Sequence, residues 1–81
     1  MDQRLAELLY EGALAVQQGD KARGLALLMQ VVEADETIEE AWLWLSGAVD
    51  DPADQRIALE NVIALNPDNE YARYGLKVLD G

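Results

Sequence analysis

The chain has 81 residues, 16 acidic and 6 basic, for a net charge of −10, and just over half of them are hydrophobic. That is one small domain of thin stability, with enough apolar side chains to fold and a surface that repels phosphate backbones and anionic membranes. With no Cys and no His, it has no disulfide, no thiol nucleophile, no thiolate metal site and no imidazole base.

In chain order, the first predicted helix covers 3–18, where Leu5, Leu8, Leu9, Gly12 and Val16 form one stripe at helical spacing. Gly19-Asp20 ends it, with Gly supplying a left-handed exit and Asp capping the next helix. The second helix, 21–34, carries Leu25, Leu28, Met29 and Val32. Thr37-Ile38-Glu39-Glu40 reads as a capping box, Thr37 as N-cap and Glu40 reaching back. It opens a third helix over 38–49 with Ile38, Ala41, Trp42, Leu45 and Val49 inward. Asp51-Pro52 sets an N-cap before a proline at the first helical position, starting a fourth helix over 52–65 with Leu59, Val62 and Ile63. Asn66-Pro67-Asp68-Asn69 stops it and starts a fifth over 69–79, striped by Ala72, Leu76 and Leu79. No stretch alternates with period two, so the fold class is all-α. The links are so short that consecutive helices must be antiparallel neighbours.

The chain also repeats itself. Leu28, Val31 and Val32 match Leu59, Val62 and Ile63 at an offset of 31, which also carries Asp35-Glu36 onto Asn66-Pro67, Ala41 onto Ala72 and Leu45 onto Leu76. Periods of this size mark stacked helical hairpins, in which each hairpin completes its neighbour's core. Trp42, Leu45 and Ser46 stand in a Trp-x-x-Leu-small pattern, Val49 takes a usual Tyr place, and Pro67 closes the unit. Leu8, Gly12, Gly24, Leu28 and Val31 hold the corresponding places in the first unit. On these residues the chain resembles the tetratricopeptide repeat family over about residues 5–69. Repeat 1 would be 5–38, a shortened repeat 2 would be 39–69, and 70–79 would be a capping helix. It departs from that family's pattern at Glu36, where a proline is usual, at Glu11, where a leucine is usual, and at Gln55, which replaces a small residue. The shortened turn around Asp50-Asp51-Pro52 and Gln55 imply looser packing in the second hairpin. A generic five-helix bundle is the rival architecture.

The resemblance implies a right-handed α-solenoid in which the first helix of each hairpin lines a concave groove for an extended peptide or a partner helix. By position that groove would take Ala6, Leu9, Ala13, Val16 and Gln17 from the first repeat, Glu40, Leu43, Gly47 and Asp50 from the second, and Tyr74 from the capping helix. None of these is basic, which disfavours the family's clamp for a partner's C-terminal carboxylate. The groove would be an apolar trough with acidic edges, suited to an apolar segment flanked by Lys or Arg. Leu9, Leu43 and Val16 have ordinary core packing as the competing reading. Trp42 and Trp44 lie about 200° apart on a helix, so only Trp42 is expected to face the core. Trp44 then packs against a neighbouring helix or serves as an interface anchor.

Asp50, Asp51 and Asp54 lack the alternating ligands and central Gly of a calcium loop, and helix capping accounts for two of them. Gly19 to Gly24 lacks the phosphate-loop spacing. No nucleophile–base pair can be nominated. The expectation is therefore a non-catalytic protein-interaction module with no cofactor and no metal. The alternative is a structural protein that self-associates, for instance by hairpin exchange. The start Met1-Asp2-Gln3-Arg4 has no following signal-like run, and the longest unbroken apolar stretch, Ala41 to Leu45, is far too short to cross a bilayer, so a cytoplasmic protein is expected.

Overall fold

A computed structural model describes residues 2–81, which form five α-helices and no strand. They are α1 (Gln3–Gln17), α2 (Lys21–Ala34), α3 (Glu39–Ala48), α4 (Pro52–Leu65) and α5 (Glu70–Leu79). Each helix packs on the next, and α1 also lies against α3. No helix among the described residues is long and apolar enough to cross a membrane.

The punctuation anticipated from sequence accounts for most boundaries. At the end of α1, Gly19 adopts φ +84°, its amide bonds the Val16 carbonyl at 3.0 Å, and the Asp20 amide bonds the Ala15 carbonyl at 2.9 Å. This paired closure satisfies carbonyls that the helix end leaves free, and the left-handed turn it needs is one that Gly adopts without strain. Asp20 then accepts from the Arg23 amide to cap α2. Asp51 accepts from the Ala53 amide and Asn69 from the Ala72 amide, capping α4 and α5.

The capping box at α3 is a correction. Ile38, not Thr37, is the N-cap, and no side chain caps α3. Thr37 is held by the preceding turn instead: its amide and its hydroxyl both donate to Asp35 Oδ1, at 2.9 and 2.6 Å. Those bonds favour the ionised carboxylate, so Asp35 titrates below the ordinary aspartate range. Ile38 is buried and joins the core, and Glu39 and Glu40 supply the first-turn negative charge that suits a helix start.

The repeat is physical as well as textual. Asp35 and Asn66, one offset apart, have nearly the same backbone, φ −152°, ψ 105° and φ −148°, ψ 95°. Their amides bond the Val31 and Val62 carbonyls at 2.8 and 2.7 Å. Their side-chain oxygens accept from the amides of Thr37 and Asp68 in matching Asx turns. The pairs Val31 and Val62, and Ala41 and Ala72, are fully buried.

The core has two parts. One gathers Leu9, Leu28, Val31, Val32, Ile38, Ala41, Leu45, Ala48 and Ala58, and the other Leu59, Val62 and Ala72. Trp42 packs against both, and its indole N–H donates to the Glu36 carbonyl at 2.8 Å. Trp44 also packs against the first part, which corrects the expectation that only Trp42 would face it. The reason is that α3 is the central helix, touched by α1, α2 and α4, so the core wraps around it.

Candidate functional site

Five of the residues nominated from sequence, Val16, Leu43, Trp44, Gly47 and Tyr74, come together around one open trough of about 710 Å³. Val16 stands at the end of α1. Leu43, Trp44 and Gly47 lie along one side of α3, and Tyr74 lies on α5. The floor is made by Leu59 of α4 and by Gly75 of α5, which approach closely. A Cβ on Gly75 would lie 2.8 Å from Leu59 Cδ1. Ser46 and Gln55 stand in the wall. The Ser46 hydroxyl donates to the Leu43 carbonyl, and the Gln55 amide donates to the Val49 carbonyl at 3.0 Å, closing the turn between α3 and α4.

No charged side chain lines the trough. Two cations in the molecule are held in ion pairs, Lys21 with Asp50 at 2.6 Å and Arg56 with Asp80. The Asp80 carboxylate raises the Arg56 pKa by hydrogen bonding and by charge. Asp50, expected at the groove, is thus paired with Lys21 and does not line the trough. Among the described residues no group of three or more acidic side chains is arranged to hold a metal ion.

Leu9 is a correction. It is 9% exposed and belongs to the core with Leu28 and with Ala41 and Leu45 of α3. Because α1 is packed by both α2 and α3, its leucine stripe is consumed in the interior. Ala13 is half-buried and Gln17 exposed, and neither lines the trough. Ala6 is exposed beside Tyr10, at a separate surface depression.

Seven of the lining residues lie outside the set nominated from sequence, and two of these are exposed apolar side chains. Tyr71 and Val78 line the trough with Tyr74, and the three are 78%, 58% and 70% exposed respectively. The signal is present in the chain: the 31-residue offset carries Glu40, Leu43 and Gly47 onto Tyr71, Tyr74 and Val78. α5 therefore presents two apolar faces. Ala72, Leu76 and Leu79 pack inward, while Tyr71, Tyr74 and Val78 lie open.

A second apolar depression lies on the other side of α3, where Leu25, Met29, Trp42, Val49 and Ile57 meet. It has no aromatic wall beyond Trp42 and none of the nominated residues.

No known family model, no curated protein and no solved structure matches this chain.

Proposed function

We propose that this protein is a non-catalytic interaction module that takes a polypeptide partner into the trough between α3 and α5. The single observation that carries this reading is the convergence of Val16, Leu43, Trp44, Gly47 and Tyr74 on one apolar, uncharged, solvent-open surface. Trp and Tyr are the residues that most often anchor protein interfaces, because they bring large apolar area at little cost in side-chain freedom. The net charge of −10 favours a partner with basic residues flanking its apolar contact. The duplicated Asx turns, together with the 31-residue offset, support a tetratricopeptide-like right-handed solenoid as the architecture, with α5 in the role of a capping helix. A cytoplasmic setting goes with this reading.

The test is a selection of displayed random peptides on the purified protein. Binders should lose affinity when Tyr74→Ala or Gly47→Leu alters the trough and keep it when Met29→Ala alters the other side of α3. Binders indifferent to both trough substitutions overturn the reading.

One observation favours a second reading, self-association. The open stripe Tyr71, Tyr74 and Val78 is the kind of helix face that a second copy could cover. Against it stands the repulsion between two copies that each carry a charge of −10. Light scattering across concentration separates the two: a constant monomer mass removes self-association, and a rising mass that Tyr74→Ala abolishes replaces the first reading with it.

A further inference from the structure

Resting on the trough as a polypeptide site, we propose that its occupant is an extended, proline-rich segment in the polyproline II conformation with a basic flank, rather than a helix. Three of the chain's five aromatic side chains, Trp44, Tyr71 and Tyr74, stand around this one trough. Aromatic-lined grooves are the surfaces on which proline rings and polyproline II segments dock.

The hydrogen-bonding inventory separates the two kinds of occupant. The Trp44 indole N–H and the Tyr71 and Tyr74 hydroxyls have no hydrogen-bond partner among the described residues, unlike the Trp42 indole, which is committed to Glu36. The Gln55 side-chain amide has two N–H groups and directs one at Val49. The trough is therefore apolar on its walls and supplied with donors. A helix has its backbone carbonyls bonded internally and offers them little to accept with. A polyproline II segment makes no internal backbone hydrogen bonds, so its carbonyls all point outward and need donors.

Charge sets the flank. Glu40 and Glu70 sit in the first turns of α3 and α5, on the faces that carry Leu43 and Tyr74, and neither has a cation partner among the described residues. Each link in α3–α4–α5 is short and reverses direction, so the N-termini of α3 and α5, which carry the two carboxylates, lie towards the same end of the molecule, outside the uncharged lining of the trough. A Lys or Arg pair at one end of the segment meets them there.

The experiment is calorimetric titration with three synthetic peptides that share a Lys-Arg pair at one end: a Pro-Pro-Ala repeat, an amphipathic Leu-Ala helix and a Gly-Ser repeat. The proline peptide should bind and the Gly-Ser peptide should not. The double variant Tyr71→Phe/Tyr74→Phe, which keeps both rings and removes both hydroxyls at exposed positions, should weaken the proline peptide roughly tenfold, as expected for two modest hydrogen bonds. Unchanged affinity in that variant overturns the proposal. Binding of the helical peptide alone, abolished by Gly47→Leu, also overturns it while leaving the trough as a polypeptide site. Binding of none of the three at millimolar concentration removes both.

Discussion

The two hairpins are built from the same pattern by different means. In the first, α1 and α2 meet through glycines. A Cβ on Gly12 would lie 2.7 Å from Leu28 Cγ, and one on Gly24 would lie 2.6 Å from Val16 Cγ2 and 3.2 Å from the Gly12 carbonyl oxygen. A glycine turn at Gly19 closes that pair. In the second hairpin the corresponding positions are Ser46 and Gln55, and the link has no glycine. The shortening expected at that link falls in α3 instead, which has 10 residues where α1 has 15, while the links 18–20 and 49–51 are equally long. The Ser46 and Gln55 side chains line the trough instead of vanishing into a helix–helix contact. The first hairpin is thus closed through glycines, while the second carries polar side chains that reach the trough wall.

Four substitutions sharpen or break this comparison, taken from the largest effect to the smallest. Trp42→Ala should cost roughly 3–5 kcal/mol in chemical denaturation, because that side chain joins the two parts of the core and its removal leaves a cavity between the hairpins. A change near zero would mean the hairpins do not depend on each other. Gly24→Ala should cost about 1–3 kcal/mol by overpacking, since Val16 is β-branched with little rotamer freedom in a helix and the Gly12 carbonyl cannot retreat. Gly47→Ala is the control in the other hairpin region. Its Cβ would meet only Val16 Cγ1 at 3.5 Å, an ordinary contact, so the gain in helix propensity should stabilise by about 0.5–1 kcal/mol. If both glycines respond alike, the contrast between the hairpins is wrong.

The smallest effect concerns the linker between them. Asp35 has its pKa lowered in the folded chain by the Thr37 hydroxyl and amide. A group with a depressed folded pKa contributes stability above its unfolded value, and that contribution is lost as pH falls through the folded value. Carboxyl-carbon NMR should therefore show Asp35 titrating below an ordinary aspartate. Thr37→Val should bring it back towards that range and flatten the acid limb of the stability profile. A wild-type midpoint at the ordinary value would dissolve the proposed turn.

Most helix boundaries are legible in the sequence because they are written in local chemistry. Gly19, Asp20, Asp51, Pro52 and Asn69 each act on backbone groups within a few residues, so no knowledge of distant neighbours is needed. Thr37 departs from its apparent capping role for an equally local reason: Asp35, two residues earlier, accepts from both its amide and its hydroxyl and holds it in the preceding turn. Leu9 departs for a different one. Its helical stripe looks the same whether one or two helices cover it, and only the lateral contact of α1 with α3 decides that it is buried. Tyr71 and Val78 are readable through the offset that supplies Tyr74, but a terminal helix is expected to turn a polar face outward, and α5 exposes these apolar side chains beside its Glu70, Arg73 and Lys77.

The most direct measurement is the pattern of backbone amide shifts in isotopically labelled protein as a bound peptide is titrated in. A polypeptide seated between α3 and α5 predicts that the largest shifts cluster at Leu43, Trp44, Gly47, Tyr74 and Val78. Shifts centred on Leu25, Met29 and Ile57, across α3 from the trough, would contradict the account.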